Sequence, residues 1–321
     1  MVLIFSHNSQ ESTTDEVIEW LDYLGYDFIR FNGVNFIKHC HVEMSNKTVK
    51  VKLKNIDWKG VKVVWLRRWM SVENSKDIYL DINTNTICFL RLQLNEHLRE
   101  ENRALTDFLF DYIPSNLKFS ELRTSEINKL KVLAKAREIG LHIPETYILT
   151  EKQKLKNLSE VDLVNKAIAN SAMLKIDKQL FVSYTTDIDS FRANLKESFA
   201  PSLFQNKVNK KYEIRSFYLQ KKIYSMAIFS QDDKQTSVDF RKYNYGFPNR
   251  ISCFKLPNII ENKLIKIARF FKLNAASFDL IKDKENNYIF LEVNPGGQFE
   301  MTSKPCNYFL EKLVAEELIK F

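Results

Sequence analysis

The chain has 321 residues, 45% of them apolar and 27% charged, with 24 Phe and 13 Tyr; this is globular composition and excludes disorder over most of the length. At roughly 150 residues per domain, the length predicts about two structural units, or three small ones. The formal charge of +8 admits nucleic acid or an acidic substrate as partner, although scattered lysines such as Lys47–Lys54 and Lys152–Lys156 also suit plain solvated faces.

The opening MVLIFSHNSQ has no basic n-region and too short an apolar run for a signal peptide, and no stretch approaches 18 apolar residues, so a cytoplasmic protein without a membrane span is expected. Residues 2–6 read as a buried strand. A helix follows from about Thr14, with Val17, Trp20, Leu21 and Leu24 at helical spacing, and Gly25 stops it. A second strand at 27–31 completes a β-α-β start and predicts a parallel sheet. Residues 48–58 suggest a hairpin strand and Val61–Leu66 a buried one. A long helix over 85–112 carries Leu90, Leu94, Leu98, Leu105 and Leu109 as its stripe, and Pro114 ends the first region. A helix from Ser125 to about Ile139 comes next, capped by Gly140 and blocked by Pro144. Short alternating segments at 146–149, 163–168, 172–176 and 181–184 predict a small antiparallel unit, followed by a helix at about 187–197. Hairpins are expected at 212–219 with 223–229 and at 277–282 with 288–293. Helices are expected at 258–272 and about 307–320.

Only 7 glycines are present, about 2% against a usual 7% or so, and none form G-x-G-x-x-G or G-x-x-x-x-G-K-[ST]. A nucleotide would have to be held by side chains more than by a glycine cradle. The 4 cysteines, Cys40, Cys88, Cys253 and Cys306, form no C-x-x-C pair, as in a reduced protein. His39-Cys40-His41 is a weak metal signal that a surface segment explains as well.

The chemistry-bearing pattern lies near the C-terminus. Strand alternation puts Glu292 and Asn294 on one face, and if the turn centres between Glu285 and Asn286, Asp279 lies opposite Glu292. Facing carboxylates repel, but become favourable around a divalent cation such as Mg²⁺, which takes oxygen ligands and leaves room for phosphate. Upstream, Glu213-Ile-Arg215 and Asp239-Phe-Arg241 each pair a carboxylate with a guanidinium. Either could be a structural ion pair; together with the acidic triad they suggest one phosphate-handling site.

Lys166, Gln205-Asn-Lys207, Glu213-Ile-Arg215, Asp239-Phe-Arg241, Asp279 and Glu292-Val-Asn294-Pro occur in the order found in the ATP-grasp superfamily, and Asn128-Lys129 with Gly140-Leu-x-Ile-Pro144-x-Thr146 fits its central-domain entry. Within it the chain resembles the graspetide synthetases, ATP-grasp peptide maturases. The runs Tyr224–Gln231, Val238–Arg241 and Pro305–Tyr308 are similar to the grasp-with-spasm subgroup. The resemblance covers about 115–321; the first 110 residues match only as the usual N-terminal α/β domain, best at Val64–Arg68.

The resemblance implies an α/β (α+β) ATP-grasp fold: an N-terminal α/β domain (1–114), then central (115–200) and C-terminal (201–321) α+β domains enclosing the nucleotide. It implies that Lys129 and Lys166 hold the ATP phosphates and that Gln205, Lys207 and hinge backbone meet adenine. Glu213 would hold the ribose or orient Arg215. Asp279, Glu292 and Asn294 would hold two Mg²⁺, and Arg215 and Arg241 would face the γ-phosphate and the acidic side chain being activated. The loop after Lys166 departs from the family in lacking glycines, which leaves phosphate cover looser or supplied by Asn170 and Ser171. The implied activity activates Asp or Glu side chains of an acidic leader-and-core precursor peptide as acyl phosphates and joins them to Thr or Ser hydroxyls or Lys amines in rings. The partner set includes no nucleic acid and no membrane, and admits a homodimer. The alternatives are another ATP-grasp carboxylate-amine ligase, of the ribosomal-protein glutamate ligase type, and a non-enzymatic basic nucleic-acid-binding protein.

Overall fold

A computed structural model describes residues 1–7, 11–33, 38–67, 88–120, 127–158, 160–169, 173–176 and 179–321. Arg68, Asn170, Ser171 and the expected helix start at 85–87 lie outside these residues. The chain divides into two units, Met1–Ser125 with Phe309–Phe321, and Glu126–Tyr308.

In the first unit, Val2–Ser6 (β1) is buried at every position and leads into Ser12–Tyr23 (α1) and Phe28–Asn32 (β2). The α1 helix ends as the glycine predicts: Gly25 is left-handed at φ +73°, and the Tyr26 N–H returns to Leu21 O at 2.9 Å. Cys40–Met44 (β3) and Val49–Leu53 (β4) form an antiparallel hairpin, and Val63–Leu66 (β5) joins the parallel sheet in the order β2-β1-β5. Cys88–Tyr112 (α2) sets Leu109 and Phe110 against the apolar side of that sheet, with Leu3, Phe5 and Val64. The separate C-terminal helix, Leu310–Lys320, packs on α1. Sequence periodicity does not disclose one buried feature: Arg67 Nε and Nη2 donate to Glu11 Oε1 at 3.2 Å and Thr13 Oγ1 at 3.0 Å.

In the second unit, Lys129–Glu138 (α3) starts on Asn128, whose Oδ1 accepts the Leu130 and Lys131 N–H groups. Then follow Thr146–Glu151 (β6), Lys152–Lys156 (α4), Leu163–Lys166 (β7), Met173–Ile176 (β8), Gln179–Val182 (β9), Thr186–Asp187 (β10) and Ser198–Asn206 (β11). The sheet order is β10-β7-β11-β6, with β8-β9 a separate hairpin. Pro201 is tolerated within β11 because the pairing to β6 is bulged between Ser198 and Ser202. The helix expected at 187–197 is not formed. Two short 3-10 turns, Ile188–Ser190 and Arg192–Asn194, stand there, because Asp187 and Ser190 side chains bond local backbone instead.

Lys210–Leu219 (β12), Lys222–Phe229 (β13), Arg250–Phe254 (β14), Asn258–Phe270 (α5), Ala275–Asp283 (β15), Tyr288–Asn294 (β16) and Glu300–Cys306 (α6) complete the unit. The antiparallel order is β14-β13-β12-β15-β16. One face of this sheet carries Ile214, Tyr218, Ala276, Phe278, Leu280 and Phe290 against Leu264 and Ile267 of α5 and Val132 and Leu133 of α3. Phe278 and Phe290 are fully buried, and truncating either to Ala would cost roughly 3–5 kcal/mol. The period of two turns Glu213, Arg215 and Asp279 to the opposite face, and an extra residue at Leu291 brings Glu292 and Asn294 round to it. The helix expected at 307–320 begins only at Leu310, because Asn307 and Phe309 are both left-handed at φ +53° and separate it from α6.

Candidate active site

Arg215 on β12, Asp279 on β15 and Glu292 on β16 stand side by side in one cross-strand row. The expected opposition of Asp279 and Glu292 is present, and a bulge produces it. Leu280 pairs with Phe290, so Leu291 is an extra residue in β16, and without it Asp279 would face position 291. The turn at Asp283–Asn287 fixes the start of the register, with Asn286 left-handed at φ +67° and the Asn287 N–H on Asp283 Oδ1 at 2.6 Å.

Arg215 Nη1 donates to both Asp279 oxygens, at 3.0 and 3.1 Å. The guanidinium is buried, and its Nε has no hydrogen-bond partner. Glu292 Oε2 lies 3.2 Å from Lys129 Nζ, which also donates to Ala167 O at 3.0 Å. Lys129 thus joins the start of α3, the end of β7 and the acidic row. Arg241 holds Asp239 bidentately, Nε to Oδ1 at 2.9 Å and Nη2 to Oδ2 at 2.7 Å, and Asp239 Oδ2 also accepts the Thr185 N–H at 3.0 Å. Asn294 shares the Glu292 face of β16; its Oδ1 accepts the Gly296 N–H at 3.0 Å, and Gly297 follows left-handed at φ +54° as the chain turns away.

The charges are coupled as well as adjacent. Burial pushes Asp279 above the usual carboxylate range, and the Glu292 charge adds to this against the pull of Arg215. Burial works the same way on Glu292, but Lys129, Lys166 and Arg241 outweigh it and hold that carboxyl low. Burial pushes the Lys166 ammonium down, opposed by Glu292 and aided by Lys129. Hydrogen bonding to Asp239 raises Arg241, with Glu292 and Asp279 adding to it. Six of the residues singled out in the sequence, Lys129, Lys166, Arg215, Arg241, Asp279 and Glu292, therefore act on one another across five elements and a loop.

Asn294 adjoins them on β16, and the side chains of Gln205, Lys207 and Glu213 have other partners. Gln205 is buried in β11 and gives its Nε2 to Thr146 Oγ1 at 3.0 Å. Lys207 Nζ meets Asp187 Oδ2 at 2.5 Å. Glu213, on the Arg215 face, is bonded by Lys210 and by Ser230 Oγ at 2.9 Å, not by Arg215. Burial pushes Glu213 up, with Lys210 opposing. The Lys210 partnership is hidden in the sequence. Residues three apart point to opposite sides of a regular strand, but β12 is irregular between Lys210 and Tyr212. Nor does the sequence signal the Thr185–Asp239 contact, which joins positions 54 apart. In the first unit, His41 Nε2 meets Glu43 Oε1 at 3.1 Å on the exposed hairpin. Among the described residues no group of three or more His, Cys, Asp or Glu could hold a metal; the third oxygen donor beside Asp279 and Glu292 is an amide, Asn294.

Residues 1–124 match the family model described as the MvdD pre-ATP grasp domain. The whole chain is similar to the macrocyclase MdnC from Microcystis aeruginosa MRC, solved with the precursor peptide MdnA: TM-score 0.80, 24% identity, covering 100% of this chain and 99% of that one. It is similar to a RiPP-associated ATP-grasp ligase from Chryseobacterium gregarium, solved with ADP and a leader and core peptide, at TM-score 0.82 and 20% identity over 99% and 96% of the two chains. The ATP-grasp ligase PsnB, solved with a minimal precursor, Mg and ADP, aligns at TM-score 0.73 and 17% identity over 99% and 96%. No protein with a curated description matches by sequence. The chain has the ATP-grasp fold that its motif order implied, along its full length.

Proposed function

We propose that this ATP-grasp chain is a graspetide synthetase, an ATP-dependent ligase that activates Asp or Glu side chains of a precursor peptide and closes them onto Thr or Ser hydroxyls or Lys amines. One observation carries the reading: the Arg215–Asp279–Glu292 row, ringed by Lys129, Lys166 and Arg241. The likeness to macrocyclases and ligases solved with precursor peptides supports it. On this reading residues 1–114, 115–200 and 201–321 are the N-terminal, central and C-terminal domains.

The donor chemistry fits magnesium. Asp279, Glu292 and Asn294 offer only oxygen, and Mg²⁺ in phosphate sites needs one or two carboxylates with the remainder from water and phosphate. These three residues would hold two ions, which would offset phosphate charge during transfer. Lys129 and Lys166 bind the phosphates, whose negative charge would favour the ammonium form that burial of Lys166 opposes. Arg241 receives the peptide carboxylate and Arg215 steadies Asp279. Gln205 near the end of β11 and Lys207 in the connection to β12 border adenine with the backbone there, since their side chains are engaged elsewhere.

The peptide carboxylate oxygen attacks the γ-phosphorus, the bond to the β-phosphate oxygen breaks, and ADP leaves. The acceptor hydroxyl or amine then attacks the acyl carbon and releases phosphate, its proton passing to solvent or phosphate. Positioning and charge neutralisation supply the rate, so no protein nucleophile is required. The net charge of +8 steers an acidic peptide toward the enzyme in a salt-sensitive way. The test is to look beside the protein's gene for a short reading frame of an acidic, Thr-bearing peptide, incubate that peptide with the protein, ATP and Mg²⁺, and weigh the product. Loss of about 18 Da per ring supports the reading, as condensation requires. Incorporation of labelled free glutamate instead would assign the protein to the amino-acid-adding ligases.

A further inference from the structure

The segment joining β13 to β14 is braced from within. Asn244 Nδ2 donates to Asp233 Oδ2 at 2.8 Å, while its Oδ1 accepts the Gly246 and Phe247 N–H groups at 3.1 and 3.2 Å. Gln235 Nε2 donates to Lys242 O at 3.2 Å and Tyr243 O at 3.1 Å, and Thr236 Oγ1 meets Asn249 Oδ1 at 2.9 Å. A loop tied by that many side-chain bonds has a fixed outward side. That side carries Arg241, Tyr243, Tyr245 and Phe247, exposed in alternation with the half-buried Lys242 and Asn244. Tyr243, Tyr245 and Phe247 are 47%, 89% and 59% exposed, with the two tyrosine rings edge-to-face at 5.0 Å.

These rings take no part in the buried core, while the bonds that hold the loop come from polar side chains. Large aromatics clustered on a rigid exposed loop mark a contact surface. The cluster adjoins the candidate active site along the chain, because Tyr243 follows by two residues Arg241, which is fixed on Asp239 at 2.9 and 2.7 Å. Lys242 and Arg250 flank it and suit an acidic ligand. A peptide whose carboxylate lies at Arg241 extends by roughly 3.3 Å per residue, so its next residues come within reach of the loop. A second copy of this chain would bring cation against cation there.

We infer that Tyr243, Tyr245 and Phe247 dock apolar side chains of the substrate peptide that neighbour the acidic residue being activated. This rests on the ligase reading above and adds to it a specificity: an acidic residue with apolar neighbours in an extended segment. Rigid aromatic rings suit the task because they offer large contact area at small entropic cost.

The test compares wild type with the Tyr245→Ser/Phe247→Ser double variant on the peptide encoded beside the gene, with ADP release and product mass both followed. The KM for peptide rises about tenfold, as the loss of one or two aromatic contacts implies, while kcat and the KM for ATP stay within about twofold. Replacing the apolar neighbours of the reacting acid by Ser raises the wild-type KM by a similar factor and that of the variant hardly at all. An unchanged peptide KM in the variant overturns the proposal. So does a wild-type dimer that the variant dissolves at unchanged peptide KM, which would assign the rings to contact between copies. A wild-type protein that leaves the peptide mass unchanged sinks the ligase reading itself, so the two failures are distinguishable.

Discussion

Arg215 offers one guanidinium nitrogen to both oxygens of Asp279, at 3.0 and 3.1 Å, and Glu292 stands on the other side of Asp279 in the same row. The two carboxylates are alike in chemistry and unlike in support. Asp279 faces a buried cation, whereas Glu292 faces Lys129, whose side chain is 18% exposed.

Substitution of the pair separates stability from turnover. Glu292→Gln lowers ADP formation at least about a hundredfold, the scale of one lost electrostatic contributor, and leaves the melting transition near wild type. Asp279→Asn loses turnover similarly and also costs roughly 3 kcal/mol of stability, because Arg215 is left buried and uncompensated. Coupled ADP release and thermal melts check both, and full activity in Glu292→Gln would refute the metal assignment.

Arg241→Ala lowers kcat by about a hundredfold or more and leaves ATP affinity nearly unchanged, because its proposed partner is the reacting carboxylate and phosphoryl group. Arg241→Lys fails to rescue, since an ammonium cannot reproduce the bidentate grip on Asp239. ATP titration beside single-turnover kinetics decides it; an equal loss of binding and turnover would reduce Arg241 to a scaffold ion pair.

Burial alone would raise Asp239, but Arg241 and the Thr185 N–H hold it below the ordinary value of 3.8. A depressed carboxyl contributes stability that is fully present above the ordinary value and is lost as pH falls through the folded one. The gap between wild type and Asp239→Asn is therefore flat near neutrality, roughly 1–3 kcal/mol, and closes at strongly acid pH. Urea unfolding from pH 7 downward measures it, and a gap that widens with acid would contradict the assignment.

The Cys253 and Cys306 thiols differ in exposure. Cys306 is buried and pushed up to about 12, first by burial and then by hydrogen bonding with Cys253, which is exposed. Only the thiolate is nucleophilic, so iodoacetamide at pH 8 labels Cys253 well ahead of Cys306 in the native protein. Peptide mapping by mass reads the order.

Gly297→Ala strains the turn beyond β16. The residue is left-handed at φ +54°, and an added Cβ would lie 3.3 Å from the Phe217 ring and 3.5 Å from the Ala276 backbone. A loss of about 1–2 kcal/mol is expected from the backbone conformation, with weakened Mg²⁺-dependent ADP formation as Asn294 shifts. An unaltered melting point would show that the turn yields freely.

Much of this was legible in the letters, for reasons that differ by element. Val2–Ser6 and the helix ending before Gly25 were readable because periodicity and a left-handed stop are local. The Asp279–Glu292 pairing came out as expected through the bulge at Leu291, which the letters do not show, since the turn centres on Glu285 instead of between Glu285 and Asn286 and by itself would set Asp279 opposite Leu291. The helix expected at 187–197 failed because Asp187 and Ser190 bond their own backbone, a competition that apolar spacing does not record.

By itself the sequence determined the oxygen-rich row on one strand face, the scarcity of glycine and the order of the basic residues along the chain. Tertiary structure alone decided that Lys129 reaches Glu292 across 163 positions, that Arg215 binds Asp279 rather than Glu213, and that Glu213 turns instead to Lys210 and Ser230. The reason is that strand alternation assigns a side chain to a face, whereas the choice of partner on that face follows from which strands lie side by side, and bulges can override both.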